Sequence, residues 1–90
     1  MNSVTTAKFQ ACFEKLPENI QQASRKAYSL WKDDPSHPSL QFKLVSPQNS
    51  VYSVRVTLSY RALGVKSNET IIWFWIGSHS KYDELIKSFQ

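Results

Sequence analysis

The stretch YSVRVTLSYRALG, Tyr52 to Gly64, decides how this chain folds. Tyr52, Val54 and Val56 alternate with Ser53, Arg55 and Thr57, the period of a half-buried strand. A further strand starts at Tyr60. The two form a hairpin if Tyr52, Val54, Val56, Tyr60 and Ala62 share the core face. Side-chain parity then requires opposed residue numbers to sum to an even number. A three-residue loop, Thr57 to Ser59, meets that condition by pairing Val56 with Tyr60. It also sets Arg55 directly opposite Arg61.

Like charges opposed across a ladder destabilise it. A sequence that builds such a pair has given up stability for a site. Two planar guanidiniums on one sheet face suit a phosphate. Thr57-Leu58-Ser59 contains neither Gly nor Asn, so its turn chemistry is poor, and another register would separate the arginines. The plainer alternative pairs each arginine with an acid or lays it along apolar neighbours. Acids are scarce there, because Glu69 is the only one between residues 41 and 81.

Outward from this hairpin the pattern stays β. LQFKLV alternates Leu40, Phe42 and Leu44 with Gln41, Lys43 and Val45, and SPQNS makes a turn. TIIWFWIG, from Thr70, is apolar on both faces, as in a central strand covered on both sides. SKYDELIKSF then forms a short helix. Ser80 is its expected cap, with Asp83 as reciprocal partner.

The first half is helical. Thr5 or Thr6 can cap a helix whose apolar stripe is Phe9, Cys12, Phe13 and Leu16. Cys12 in that stripe reads as a small buried hydrophobe. Pro17 ends this helix and opens a second, Glu18 to Lys32, with stripe Ile20, Ala23, Ala27, Leu30 and Trp31. So short a link makes an antiparallel hairpin. DDPSHPS then stops the helix. The expected fold class is α+β: an N-terminal helical hairpin packed on a four-stranded antiparallel sheet with a short C-terminal helix.

Ninety residues make one domain, 1–90, and twelve aromatics are enough for one core. One cysteine excludes an internal disulfide and a cysteine-cluster metal site. No metal or other cofactor is expected, and His37 is given no role. No apolar run reaches the roughly 18 residues of a membrane span, and MNSVTTAKF does not read as a signal peptide. A cytoplasmic protein without membrane contact is the simplest expectation. The net charge of +4 is uneven: residues 41–81 carry five Lys or Arg against one acid. That excess on the β half favours an anionic partner such as nucleic acid.

His79 follows the apolar strand, after Gly77-Ser78. A histidine in such a loop can move a proton near neutral pH; the plainer alternative is an exposed cap residue. Tyr82, Ile86 and Phe89 share a helix face, where a tyrosine is more often core than catalyst.

With these residues in place, the chain resembles the RelE/ParE superfamily of bacterial type II toxins, above all the small ParE-like branch. The resemblance covers nearly the whole chain, from LWKDDPSHPSL through LQFKLV, YSVRV and SYRALG to WFWIGSHSKYDEL. It implies a toxin held silent by a cognate antitoxin, with two possible activities. RelE-like members resemble metal-independent endoribonucleases that cut mRNA on the ribosome. ParE-like members inhibit DNA gyrase without nuclease activity. A catalytically weakened RelE-fold binding module is a third possibility.

For a ribonuclease, the resemblance implies that Arg61 stabilises the scissile phosphate and that Arg55 is the second basic position. His79 falls where members carry an Arg or His general acid. Tyr82 is similar to a C-terminal tyrosine that stacks on or orients the nucleotide. Lys43 and Lys81 join Arg55 as expected RNA-binding residues. Ser53 stands where several ribonuclease members have lysine, so the general base is open, with Lys43 or Lys81 as substitutes.

Overall fold

The computed structural model describes residues 1–89. Five strands form one sheet: β1 (Asn2–Thr5), β2 (Lys43–Ser46), β3 (Val51–Thr57), β4 (Tyr60–Ser67) and β5 (Thr70–Ser78). Three helices accompany it: α1 (Ala7–Glu14), α2 (Glu18–Asp33) and α3 (His79–Lys87). The strand order is β1-β5-β4-β3-β2. The helices and the β2–β5 meander follow the expected order, and the sheet has one strand more than expected.

The extra strand corrects the four-stranded antiparallel sheet. β1 runs parallel to β5, from Asn2 beside Thr70 to Thr5 beside Trp73. Asn2 N donates to Glu69 O and Thr6 N to Trp73 O, which extends the ladder at both ends. The sequence hides this strand because NSVT is short, mostly exposed and without apolar alternation. Thr6 does cap α1, its hydroxyl accepting from Phe9 N.

β2 is also shorter than LQFKLV. A single 3-10 turn, Pro38–Leu40, takes the leucine, and Gln41 adopts φ 45° before the strand begins. Leu40 is nonetheless buried. At the other end, the cap of α3 is Ser78 rather than Ser80. The Ser78 hydroxyl accepts from Lys81 N, so the helix begins at His79.

Each sheet face carries its own core. α1 and α2 cover one face, where Trp31, Val54, Ala62, Ile71, Trp73 and Ile76 are buried together. Trp31 meets Trp73 edge to face, with ring centroids 5.4 Å apart, a favoured aromatic geometry. α3 covers part of the other face, where Val51, Leu63 and Tyr82 are buried against Phe74, Trp75 and Phe89.

A bulge explains why TIIWFWIG is apolar throughout. Leu63 pairs with Trp75 and Gly64 with Trp73, which leaves Phe74 as the extra residue. The parity shift turns both Trp73 and Ile76 toward the helical hairpin and Phe74 and Trp75 toward α3. Gly64 is required at this crossing. A Cβ there would lie 2.6 Å from Ile71 Cγ2 and 2.8 Å from Trp73 Cε3.

Candidate functional site

Arg55 stands opposite Arg61 across the β3–β4 ladder. The turn beside them is tighter than expected. Thr57, not Val56, pairs with Tyr60, so the loop is Leu58-Ser59 and Val56 is left as a bulge. Both versions put Arg55 opposite Arg61, because the bulge takes up the odd residue.

Arg61 supplies the chemistry that this turn lacks. Its Nη1 donates to Thr57 O at 2.6 Å, Tyr60 O at 3.0 Å and Leu58 O at 3.3 Å. One end of the guanidinium thus ties down a turn that has no Gly or Asn. Partial burial, then the Arg55 charge, lowers the Arg61 pKa from its ordinary value, against weaker opposing effects of Tyr82 and Asp83. Among the described residues neither arginine forms an ion pair with a carboxylate. Two partly buried cations without an acid between them leave unneutralised positive charge on this face of the sheet.

His79 lies against the same turn. Its backbone N–H donates to Ser59 O at 2.7 Å. Its Nδ1 sits 3.1 Å from Asp83 Oδ2, one helical turn on, and both side chains are about half exposed, at 45% and 54%. A carboxylate on Nδ1 fixes the ring and leaves Nε2 turned to other partners. The sequence pattern pairs Asp83 with the helix cap, whereas the structure sets it against His79. The i, i+4 spacing of His79 and Asp83 on a helix was the available signal.

Gly77 is the β5 neighbour of Arg61. A Cβ there would come within 2.5 Å of Trp75 Cζ2. The glycine therefore lets the half-buried Trp75 ring lie across the strand end next to the arginine rung.

Tyr82 is not placed to stack on a nucleotide. It is 6% exposed, beneath α3, and its hydroxyl donates to Ser53 Oγ at 3.2 Å. Ser53 is itself 2% exposed. The ring of Tyr82 meets that of His79 edge to face at 5.7 Å. Tyr82 therefore supports the site from below. Lys43 pairs with Ser53 on the β2–β3 ladder, and so starts from the same sheet face as the arginines. Lys81, in the first turn of α3, pairs with Glu84 at 3.8 Å, both 72% exposed; such a surface pair adds little stability. Among the described residues no three His, Cys, Asp or Glu converge on a metal position. No helix among them is long and apolar enough to cross a membrane.

A helical hairpin on one face of a mixed sheet, one C-terminal helix on the other, and basic residues at the strand ends define a class of small toxin-like domains. Residues 18–84 match the ParE-like toxin domain, and the chain belongs to that family, within the RelE/ParE superfamily. No curated protein matches the sequence. Among solved structures, the chain resembles one in the RelB-RelE antitoxin-toxin complex of Methanococcus jannaschii: TM-score 0.72, 14% identity, covering 91% of this chain and 96% of that one. It resembles one in the RelBE2 toxin-antitoxin complex of Mycobacterium tuberculosis with TM-score 0.67 and 21% identity, over 87% and 96% of the two chains. The isolated RelE toxin of Escherichia coli gives 0.62 and 13%, over 99% and 98%. At these identities the likeness is one of fold.

Proposed function

We propose that this protein is the toxin of a type II toxin-antitoxin system and a metal-independent endoribonuclease acting on mRNA at the ribosome. The observation that carries this reading is the rung of Arg55 and Arg61, unpaired with any described acid, beside a histidine already oriented by a carboxylate. In the reaction, a ribose 2′-oxygen attacks the adjacent phosphorus. The P–O5′ bond breaks, leaving a 2′,3′-cyclic phosphate and a 5′-hydroxyl. Negative charge grows on the phosphate oxygens, where Arg61 and Arg55 stabilise it. His79, as the imidazolium, gives its Nε2 proton to the departing 5′-oxygen and keeps Nδ1–H on the Asp83 carboxylate. The 2′ proton goes to a base, for which Lys43 and Lys81 are the candidates. Tyr82 acts through position, keeping α3 and His79 over the sheet.

The partner in this reading is a cognate antitoxin. β2 is one of the two edge strands of the sheet, and Leu44 on it is 45% exposed. An added antitoxin strand would pair with this edge. Hydrogen exchange showing no protection of residues 43–46 in the complex would remove that contact.

Inhibition of DNA gyrase is the second reading. The family match and the buried Ser53, where several ribonuclease members have lysine, favour it. Ribosomes programmed with a defined message separate the two. New cuts in the A site, lost in Arg61→Ala, support the ribonuclease. No cuts by folded protein, with loss of gyrase supercoiling, support the inhibitor.

A further inference from the structure

A second basic cleft lies around the sheet edge from the arginine rung. It has a volume of about 270 Å³ and is lined by Ala23, Lys26 and Leu30 of α2, Leu40, and Arg55 and Thr57 of β3. This is below the roughly 300–1,000 Å³ of ordinary small-molecule pockets, a size for one unit of a chain rather than a whole ligand. The last β2–β3 rung is Lys43 with Ser53. Beyond it β3 has no β2 neighbour, so Arg55 borders the cleft at an open strand edge.

Among the described residues Lys26 forms no ion pair with an acid. Glu18 and Asp33, at opposite ends of α2, are the only acids of that helix. Residues three and four away from Lys26 are Gln22, Ala23, Ser29 and Leu30, and none of the cleft's lining residues is acidic. Ser39 and Thr57 add hydroxyls to the same lining. Ala23, Ala27, Leu30 and Leu40 supply the apolar part of the lining.

We propose that this cleft is a phosphate-binding subsite for single-stranded RNA, one step along the strand from the Arg55–Arg61 rung. It rests on the reading of the protein as one that binds RNA. Arg55 is the hinge between the two positions. One face of the strand end meets the reacting phosphate, and the cleft on the other side grips a neighbouring phosphodiester. Lys26 therefore contributes to RNA affinity and takes no part in the chemical step.

The test uses the whole protein and a fluorescent single-stranded RNA ten-mer with 2′-O-methyl riboses, which cannot be cut by 2′-oxygen attack. Lys26→Gln should weaken binding about fivefold or more at low salt. It should also reduce the slope of log affinity against log salt by about 0.7, the value for one lost phosphate contact on a single strand. Lys8→Gln on α1, exposed and outside the cleft, removes the same charge and should leave both nearly unchanged. Unchanged melting temperatures of both variants show that folding is intact. Equal losses in the two variants would overturn the subsite, since net charge alone would then account for binding. Equally tight, Lys26-dependent binding of hexaglutamate would overturn it in favour of an acidic peptide, and no RNA binding by wild type would also overturn it. Lys26-dependent binding by a protein that never cuts message would defeat the ribonuclease reading and leave the subsite supported.

Discussion

Arg55 and Arg61 occupy one rung of the β3–β4 ladder, and Arg61 spends one nitrogen on the carbonyls of the turn that joins the two strands. The same side chain is thus a structural tie and a candidate anion ligand. Its partner Arg55 is not tied in this way, so the two can be separated by substitution.

Arg55→Thr removes the opposed charge and inserts a good strand residue. Cross-strand pairs contribute roughly 0.2–1 kcal/mol, so the variant should be more stable than wild type by about 0.5 kcal/mol. The gain should shrink as salt screens the repulsion. Message cutting on programmed ribosomes should fall in the same variant. Urea unfolding at two salt concentrations checks the first point. A less stable variant would mean that Arg55 has a stabilising partner.

Arg61→Lys separates charge from shape. A lysine keeps the cation but loses the planar fork. Cutting should drop at least tenfold. Stability should also fall by about 1–2 kcal/mol, since hydrogen bonds to charged groups contribute about 1.5–3 kcal/mol and lysine recovers only part. Full activity with Lys would show that the site needs a charge alone.

Asp83→Asn tests the orienting carboxylate. If His79 is the general acid, losing its partner should slow cutting by a part of the roughly 10²- to 10⁴-fold that the acid itself supplies. His79→Ala should cost about 10²- to 10⁴-fold. The imidazole nitrogen shifts of His79 provide a readout independent of activity. In wild type, the proton of the neutral ring should sit on Nδ1, facing Asp83, and Asp83→Asn should remove that preference. An Asp83→Asn protein with wild-type rates and a changed tautomer would remove Asp83 from the mechanism.

Much of this was legible in the sequence, for identifiable reasons. Strict alternation in VYSVRVT and the parity rule fixed which residues share a face, and so brought Arg55 to Arg61 even though the loop is one residue shorter than expected. The stripes of α1 and α2 and the proline between them located the helical hairpin. What the sequence hid has no periodicity to betray it. β1 is four residues of mostly exposed chain held by pairing with β5. The bulge at Phe74 breaks parity inside a segment that is apolar everywhere. The burial of Tyr82, by contrast, was legible in the face it shares with Ile86 and Phe89; only the resemblance gave it a nucleotide-stacking role. Asp83 acquired its partner only when His79 proved to be the first residue of the helix.

Ser53→Lys tests the position where the resemblance to ribonuclease toxins implies a lysine. That substitution would restore the missing basic residue on paper. In this fold, Ser53 is 2% exposed and receives the Tyr82 hydroxyl in the contact that seats α3. A lysine there has two courses. It can stay beneath α3 as a buried, unpaired ammonium, which costs about 3 kcal/mol or more. It can instead push Tyr82 aside and lift the helix that carries His79. Either way the variant should be markedly less stable than wild type, and it should cut message no faster. Tyr82→Phe is the milder companion, losing one hydrogen bond at about 1 kcal/mol. Thermal melts and single-turnover cutting of both variants distinguish the cases. A Ser53→Lys protein that is stable and faster would mean that α3 yields readily, and that serine at this position leaves the nuclease without its base.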